Sequence, residues 1–205
     1  MKDTSNKGVA QVVPATSGMD LAGDVQVWYQ HNLGEDITFY KDAANAESAK
    51  KQAGVIFDLM RFLEEKKLIE EFFDSNAGGF NTLDGDGKRI KTVVRDESTY
   101  KEQFEVVAKE GDLRLWYMQM FDSREIFYAN ASNTDEAMDQ LLTIYELTLF
   151  LYNHNQIPDY CNAGGVEVYE ADGDGGFEWC EWYSDDGLDA GEIMAMYMEG
   201  DDTDD

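Results

Sequence analysis

Asp24–Gln30 alternates apolar and polar positions and ends on Trp28 and Tyr29, the pattern of a half-buried strand. Asn32–Asp36 reads as a turn and Ile37–Tyr40 as the returning strand. Apolar residues then recur at Ala49, Ala53, Ile56, Met60 and Leu63, the spacing of one helical face, and Asn45 stands where an N-cap belongs. The same succession returns in the second half. Its helical stripe is Ala137, Leu141, Ile144, Leu147 and Leu151, introduced by Asn133 with Glu136 three residues on, a capping-box pattern. Gly78-Gly79 and Gly164-Gly165 follow as breakers. Arg89–Val94 and Phe177–Tyr183 are strands of a second hairpin with Asp-Gly at the turn. Weaker helical patterns over Glu97–Lys109 and Leu188–Met198 close the two series.

Sliding the chain by 88 residues lays Asp24–Leu63 over Asp112–Leu151 without a gap and makes 13 of 40 positions identical, among them Trp28/Trp116, Tyr29/Tyr117, Phe39/Phe127, Gln52/Gln140 and Leu59/Leu147. Asn76-Ala-Gly-Gly79 matches Asn162-Ala-Gly-Gly165, and Asp84-Gly-Asp-Gly87 matches Asp172-Gly-Asp-Gly175. The fold class expected is α+β, a tandem duplication of a ββαββα module. Its boundaries are a flexible segment 1–23, a first repeat 24–111, a second repeat 112–200 and an acidic tail 201–205. The copies should pack as a pseudo-twofold pair, an internal counterpart of a symmetric dimer, with the matched aromatics (Trp116 among them) supplying much of the core.

Charge separates the two halves. The chain has 205 residues and a formal charge of −27, yet residues 24–111 hold 12 basic and 18 acidic side chains while residues 112–205 hold 2 and 23. After Arg124 come 21 carboxylates and no lysine or arginine. Adaptation to high salt would acidify the whole surface, so the asymmetry points instead at one surface with one purpose. Such a chain is repelled by nucleic acid and by anionic membranes. It has no run of 18 apolar residues to span a bilayer. Met1–Gly23 lacks the basic start and apolar stretch of a signal peptide, so the expected location is the cytoplasm.

Motifs for chemistry are missing. Counting twelve positions from Asp84 or Asp172 lands on Arg95 or Tyr183, not on the glutamate an EF-hand needs, so Asp-Gly-Asp-Gly reads as a turn. His31 and His154 fit no zinc spacing, and Cys161 and Cys180 read as inert thiols. No Walker loop, nucleophile elbow or dinucleotide fingerprint is present. The expectation is therefore no catalytic residue, no metal and no cofactor.

In Phe177–Tyr183 the alternation puts Phe177, Trp179 and Glu181 on one face and Glu178, Cys180 and Trp182 on the other, so one face can be adhesive. The 21 carboxylates are comparable to the roughly twenty phosphates in a turn of B-DNA. The leading functional expectation is thus a non-enzymatic DNA mimic that occupies the cleft of a restriction, CRISPR or other DNA-handling protein, similar in general character to phage- and plasmid-borne mimics. The alternatives are an acidic scaffold, immunity or virion component with a basic partner and, behind it, a metal-dependent hydrolase. The partner-binding set is Asp159, Glu167, Glu170, Asp172, Asp174, Glu178, Glu181, Trp182, Asp185, Asp186, Asp189 and Glu192, directed at a basic, DNA-binding protein.

Overall fold

A computed structural model describes residues 25–30, 38–69, 77–83, 89–94, 107–119, 124–158 and 162–199. The chain is mixed α and β. Its first half runs β1 (Val25–Gln30), β2 (Phe39–Asp42), α1 (Ala46–Glu65), β3 (Ala77–Leu83) and β4 (Arg89–Val94). The second runs β5 (Leu113–Met118), β6 (Phe127–Ala131), α2 (Thr134–Asn153), β7 (Ala163–Ala171), β8 (Phe177–Glu181) and α3 (Ala190–Glu199). Two four-stranded antiparallel sheets result, ordered β2-β1-β3-β4 and β6-β5-β7-β8. The N-terminal segment, the acidic tail, Asp84, Asp86, His31 and all but the last three residues of the helical pattern Glu97–Lys109 lie outside the described residues. Val107, Ala108 and Lys109 are not helical.

Both long helices begin and end in the same way. The Asn45 side chain accepts the N–H groups of Glu47 and Ser48 at 2.9 Å, and Asn133 accepts that of Glu136 at 2.9 Å. The Glu136 carboxylate returns to the N–H of Ser132 at 3.3 Å rather than to that of Asn133, so the box is shifted by one residue. At the other end Lys67 (φ 57°) and Asn155 (φ 56°) take the left-handed conformation. The N–H groups of Leu68 and Gln156 then reach back to the carbonyls of Leu63 and Leu151 at 2.8 Å, closing two Schellman motifs without glycine.

The glycine pairs are not breakers. They lie inside β3 and β7, where the sheet must approach other groups closely. A Cβ on Gly78 would stand 2.9 Å from the ring of Phe57, and one on Gly164 would stand 2.9 Å from both Leu141 Cδ1 and the carbonyl of Trp116. Gly165 faces the opposite side, where the indole of Trp116 lies against it.

One hydrophobic cluster runs through both halves, from Val27, Tyr29 and Phe39 through Ile56, Leu59 and Leu63 to Leu115, Tyr117, Phe127, Ile144, Leu147 and Leu151. Trp28 and Trp116 are half-buried on the faces turned away from the helices; the fully buried aromatics are their neighbours Tyr29 and Tyr117, with Phe39 and Phe127. A smaller cluster of Ala137, Leu141, Val166, Ala190 and Met194 seats α3.

The contacts between halves come in exchanged pairs. Phe39 meets Phe150 at 5.7 Å between ring centroids, and Phe127 meets Phe62 at 5.6 Å; adding 88 to Phe39 and subtracting it from Phe150 converts one pair into the other. Lys51 bonds Glu136 at 2.7 Å and Ser48 bonds Asp139 at 2.9 Å, again exchanged by the same shift. Further polar contacts join the halves: Gln52 donates to both oxygens of Asp139 (2.8 and 2.7 Å), Lys66 pairs with Glu125 at 3.3 Å, and Lys41 pairs with Glu146 at 2.8 Å. Lysines of the first half thus neutralise Glu125, Glu136 and Glu146 of the second, which accounts for part of the charge asymmetry without any external partner.

Candidate functional site

In the second sheet the helices cover one face, the side of Leu115, Tyr117, Phe127 and Val166. The other carries Arg114 and Trp116 from β5, Tyr128 from β6, Glu167 and Tyr169 from β7, and Phe177, Trp179 and Glu181 from β8, as the strand alternation and pairing register require. The Arg114 guanidinium is its centre. It lies 4.1 Å from the ring centroid of Tyr128 and 4.1 Å from that of Trp179, while its Nε donates to Glu167 at 2.6 Å. Tyr169 continues the strip, 5.3 Å from Trp179 and stacked on Phe177 at 5.8 Å. Phe177 is 46% exposed, a large apolar side chain at the open end of the strip. The alternation expected for Phe177, Trp179 and Glu181 therefore yields an aromatic surface with an arginine packed between the rings of Tyr128 and Trp179.

Carboxylates crowd the β7–β8 side of this face. Glu181 stands directly across from Glu167 in the ladder. Burial, then the nearby carboxylates of Asp189 and Glu167, raise its carboxyl above the ordinary glutamate range. Burial likewise raises the Tyr128 phenol, against the pull of Arg114. On the opposite side of the hairpin, partial burial and then Glu170 and Glu178 push the Cys180 thiol up, so it is not an activated nucleophile.

The carboxylates expected to form one binding surface are distributed over several. Glu167 and Glu181 lie on the aromatic face, and Glu167 is already paired with Arg114. Glu170 and Glu178 oppose each other on the other side of the β7–β8 ladder. Asp172 is a turn residue: its Oδ1 accepts the N–H groups of Asp174 (2.8 Å) and Gly176 (2.9 Å), in a loop with Gly173 at φ 82° and Gly175 at φ 91°. Asp174 is exposed in that loop, and Asp185 and Asp186 sit at the tip of a turn closed by Gly187 N–H to the Ser184 carbonyl at 2.9 Å. Asp189 and Glu192 form a reciprocal capping box at the start of α3 (2.7 and 3.1 Å), two carboxylates with a structural duty. Trp182 is half-buried against the Ala137–Leu141–Val166 cluster, on the helix side, so it is no exposed anchor. The strand itself ends at Glu181, with Tyr183 joined only by an isolated bridge to Asp189. Asp159 and Cys161 lie outside the described residues.

No group of three or more His, Cys, Asp or Glu side chains that could hold a metal occurs among the described residues. Among them, too, no helix is long and apolar enough to cross a membrane. Sequence reasoning missed Arg114, Tyr128 and Tyr169. The available signal was that Arg114 is one of two cations in the second half and lies two positions from Trp116 in a strand.

Residues 112–202, the span from β5 through α3, match the family model described as superinfection exclusion gene product 17. The chain is also similar to a superinfection exclusion protein of Salmonella phage P22, 25% identical over 81 residues that cover 36% of this chain and 78% of that protein. No solved structure matches the chain. These similarities overturn the DNA-mimic expectation: what the second half resembles is a phage exclusion protein, not an inhibitor that copies a duplex. The physical error lay in summing charge along the sequence. Among the described residues, three carboxylates of the second half neutralise lysines of the first, two cap a helix, one builds a turn, and Glu167 and Glu181 lie on the opposite face of the sheet from Glu170 and Glu178.

Proposed function

We propose that this chain acts in superinfection exclusion, blocking a second phage in an infected cell, and that it does so by binding rather than catalysis through the aromatic face of its second sheet. The observation that carries the reading is the family match over residues 112–202, which spans every strand of that face. The proposed partner is a basic protein. Support comes from Glu181, exposed on that face, and from the arginine at its centre, which is already satisfied by Glu167.

We read the two halves as copies of one ββαββα module packed as a pseudo-twofold pair. What supports this is the 88-residue self-match, the identical strand order, and contacts such as Phe39–Phe150 and Phe62–Phe127 that exchange under the same shift. On this reading the first copy supplies the lysines and the shared core that hold the acidic second copy together.

The test is expression of the chain in a bacterial host followed by challenge with a panel of phages. The expected result is a clear fall in plating efficiency for one or more phages relative to the host without the chain. Unchanged plating across the panel would refute the exclusion reading.

A further inference from the structure

We infer that the open edge of β8 docks an extended cationic segment of a partner protein, which adds as a further strand beside Phe177–Glu181. Among the described strands β8 is the last in the order β6-β5-β7-β8, so one side of it faces no described strand. The direction of its backbone groups follows from the register. Trp182 N–H donates to the Val166 carbonyl at 2.9 Å, and the pairs Val168↔Cys180 and Glu170↔Glu178 continue that phase. In an antiparallel ladder the intervening residues point the other way, so the N–H and C=O groups of Phe177, Trp179 and Glu181 are aimed outward. The bridge between Tyr183 and Asp189 closes the edge just beyond them and limits the open stretch to one short strand.

Charge selects the occupant. Edge strands are normally blunted with lysine or proline, and β8 has neither; it carries Glu178 and Glu181 on opposite faces. A second copy of the same edge would bring further carboxylates and no cation, which disfavours self-pairing. A strand with lysine or arginine opposite Glu178 and Glu181 gains cross-strand ion pairs, and an apolar residue between them lies along Trp179 and Phe177 on the aromatic face. The inference deepens the function proposed above by naming the chemistry of its partner, but it is tested on the purified chain without phage.

The probe is a fluorescein-labelled octapeptide of repeating Lys-Val-Val, whose spacing of three sets lysines opposite both Glu178 and Glu181, followed by fluorescence anisotropy against the full chain. Its control has the same sequence N-methylated at every backbone nitrogen, which keeps the charge and removes every donor. The expected result is that the control binds at least tenfold more weakly. In the protein, Glu181→Gln removes one charge and weakens binding by about fivefold or less, since an exposed pair is worth at most about 1 kcal/mol. Glu181→Pro also removes an outward N–H without touching the β7 ladder, and weakens binding further. Equal binding of both peptides would overturn strand docking in favour of plain charge attraction, and failure of the parent peptide to bind would overturn the inference outright. If exclusion persists while the peptides behave in either of these ways, the function stands and the docking falls.

Discussion

Lys41 and Glu146 meet at 2.8 Å across 105 residues of chain, with both side chains only 5% exposed. They lie on β2 of the first half and on α2 of the second, a buried polar tie between them. A pair like this specifies how the halves fit more than it adds net stability, because both ions lose water. Lys41→Met should therefore destabilise the chain by about 3–5 kcal/mol, whereas Lys41→Met with Glu146→Leu should recover most of the loss. Urea denaturation of the three proteins checks this; a double variant as unstable as the single one would mean the pair is worth more than its desolvation costs.

Two glutamates of α2 should give opposite pH dependences. Burial raises Glu146, with Lys41 opposing, above the ordinary 4.5. The fold then holds its proton more tightly than the unfolded chain does, and the stability this contributes is full below the unfolded pKa and lost as pH rises through the folded one. For Glu136 burial again works against ionisation, but hydrogen bonds from Lys51 and Ser132 prevail and hold it below 4.5. Its contribution is present above the unfolded pKa and lost as pH falls through the folded one. Denaturation midpoints measured against pH should show Glu136→Gln flattening the acid-side decline and Glu146→Gln flattening the decline above 4.5.

The shared core makes the halves one cooperative unit. Phe39→Ala and Phe127→Ala each remove a ring packed on the other half's helix and should cost about 3–5 kcal/mol. Unfolding should remain a single transition reported alike by probes in either half. Two resolved transitions would show that the halves are independent.

The capping box at α3 separates structural carboxylates from free ones. Asp189→Ala should cost about 0.5–2 kcal/mol by removing the acceptor of the Glu192 N–H. Asp185→Asn and Asp186→Asn, exposed at a turn tip, should leave the unfolding midpoint unchanged. A midpoint shift in the turn variants as large as that of Asp189→Ala would contradict this division.

Local signals made the helices legible from the chain alone. The stripes through Ala49–Leu63 and Ala137–Leu151 are buried throughout, and Asn45 and Asn133 cap as their position suggests, because periodicity and capping depend on neighbours within a few residues. Strand geometry puts Trp28 and Tyr29 on opposite faces, as it does Trp116 and Tyr117, but which face a helix covers is a tertiary fact. The tryptophans were therefore credited to a core that belongs to the tyrosines. Gly164 and Gly165 were misread for the same reason, since their role is to admit Leu141 on one side and Trp116 on the other. The aromatic face draws Arg114, Tyr128 and Trp179 from three strands, and no linear spacing joins them until the order β6-β5-β7-β8 is known.

The measurement that tests the central claim most directly is plating efficiency on a host expressing Phe177→Ala with Trp179→Ala, after circular dichroism has shown the fold unchanged. Phe177 is the exposed end of the aromatic face and Trp179 its half-buried neighbour, covered by Arg114. The account predicts that a phage excluded by the natural sequence plates normally on the double variant. Undiminished exclusion by a folded double variant would contradict it.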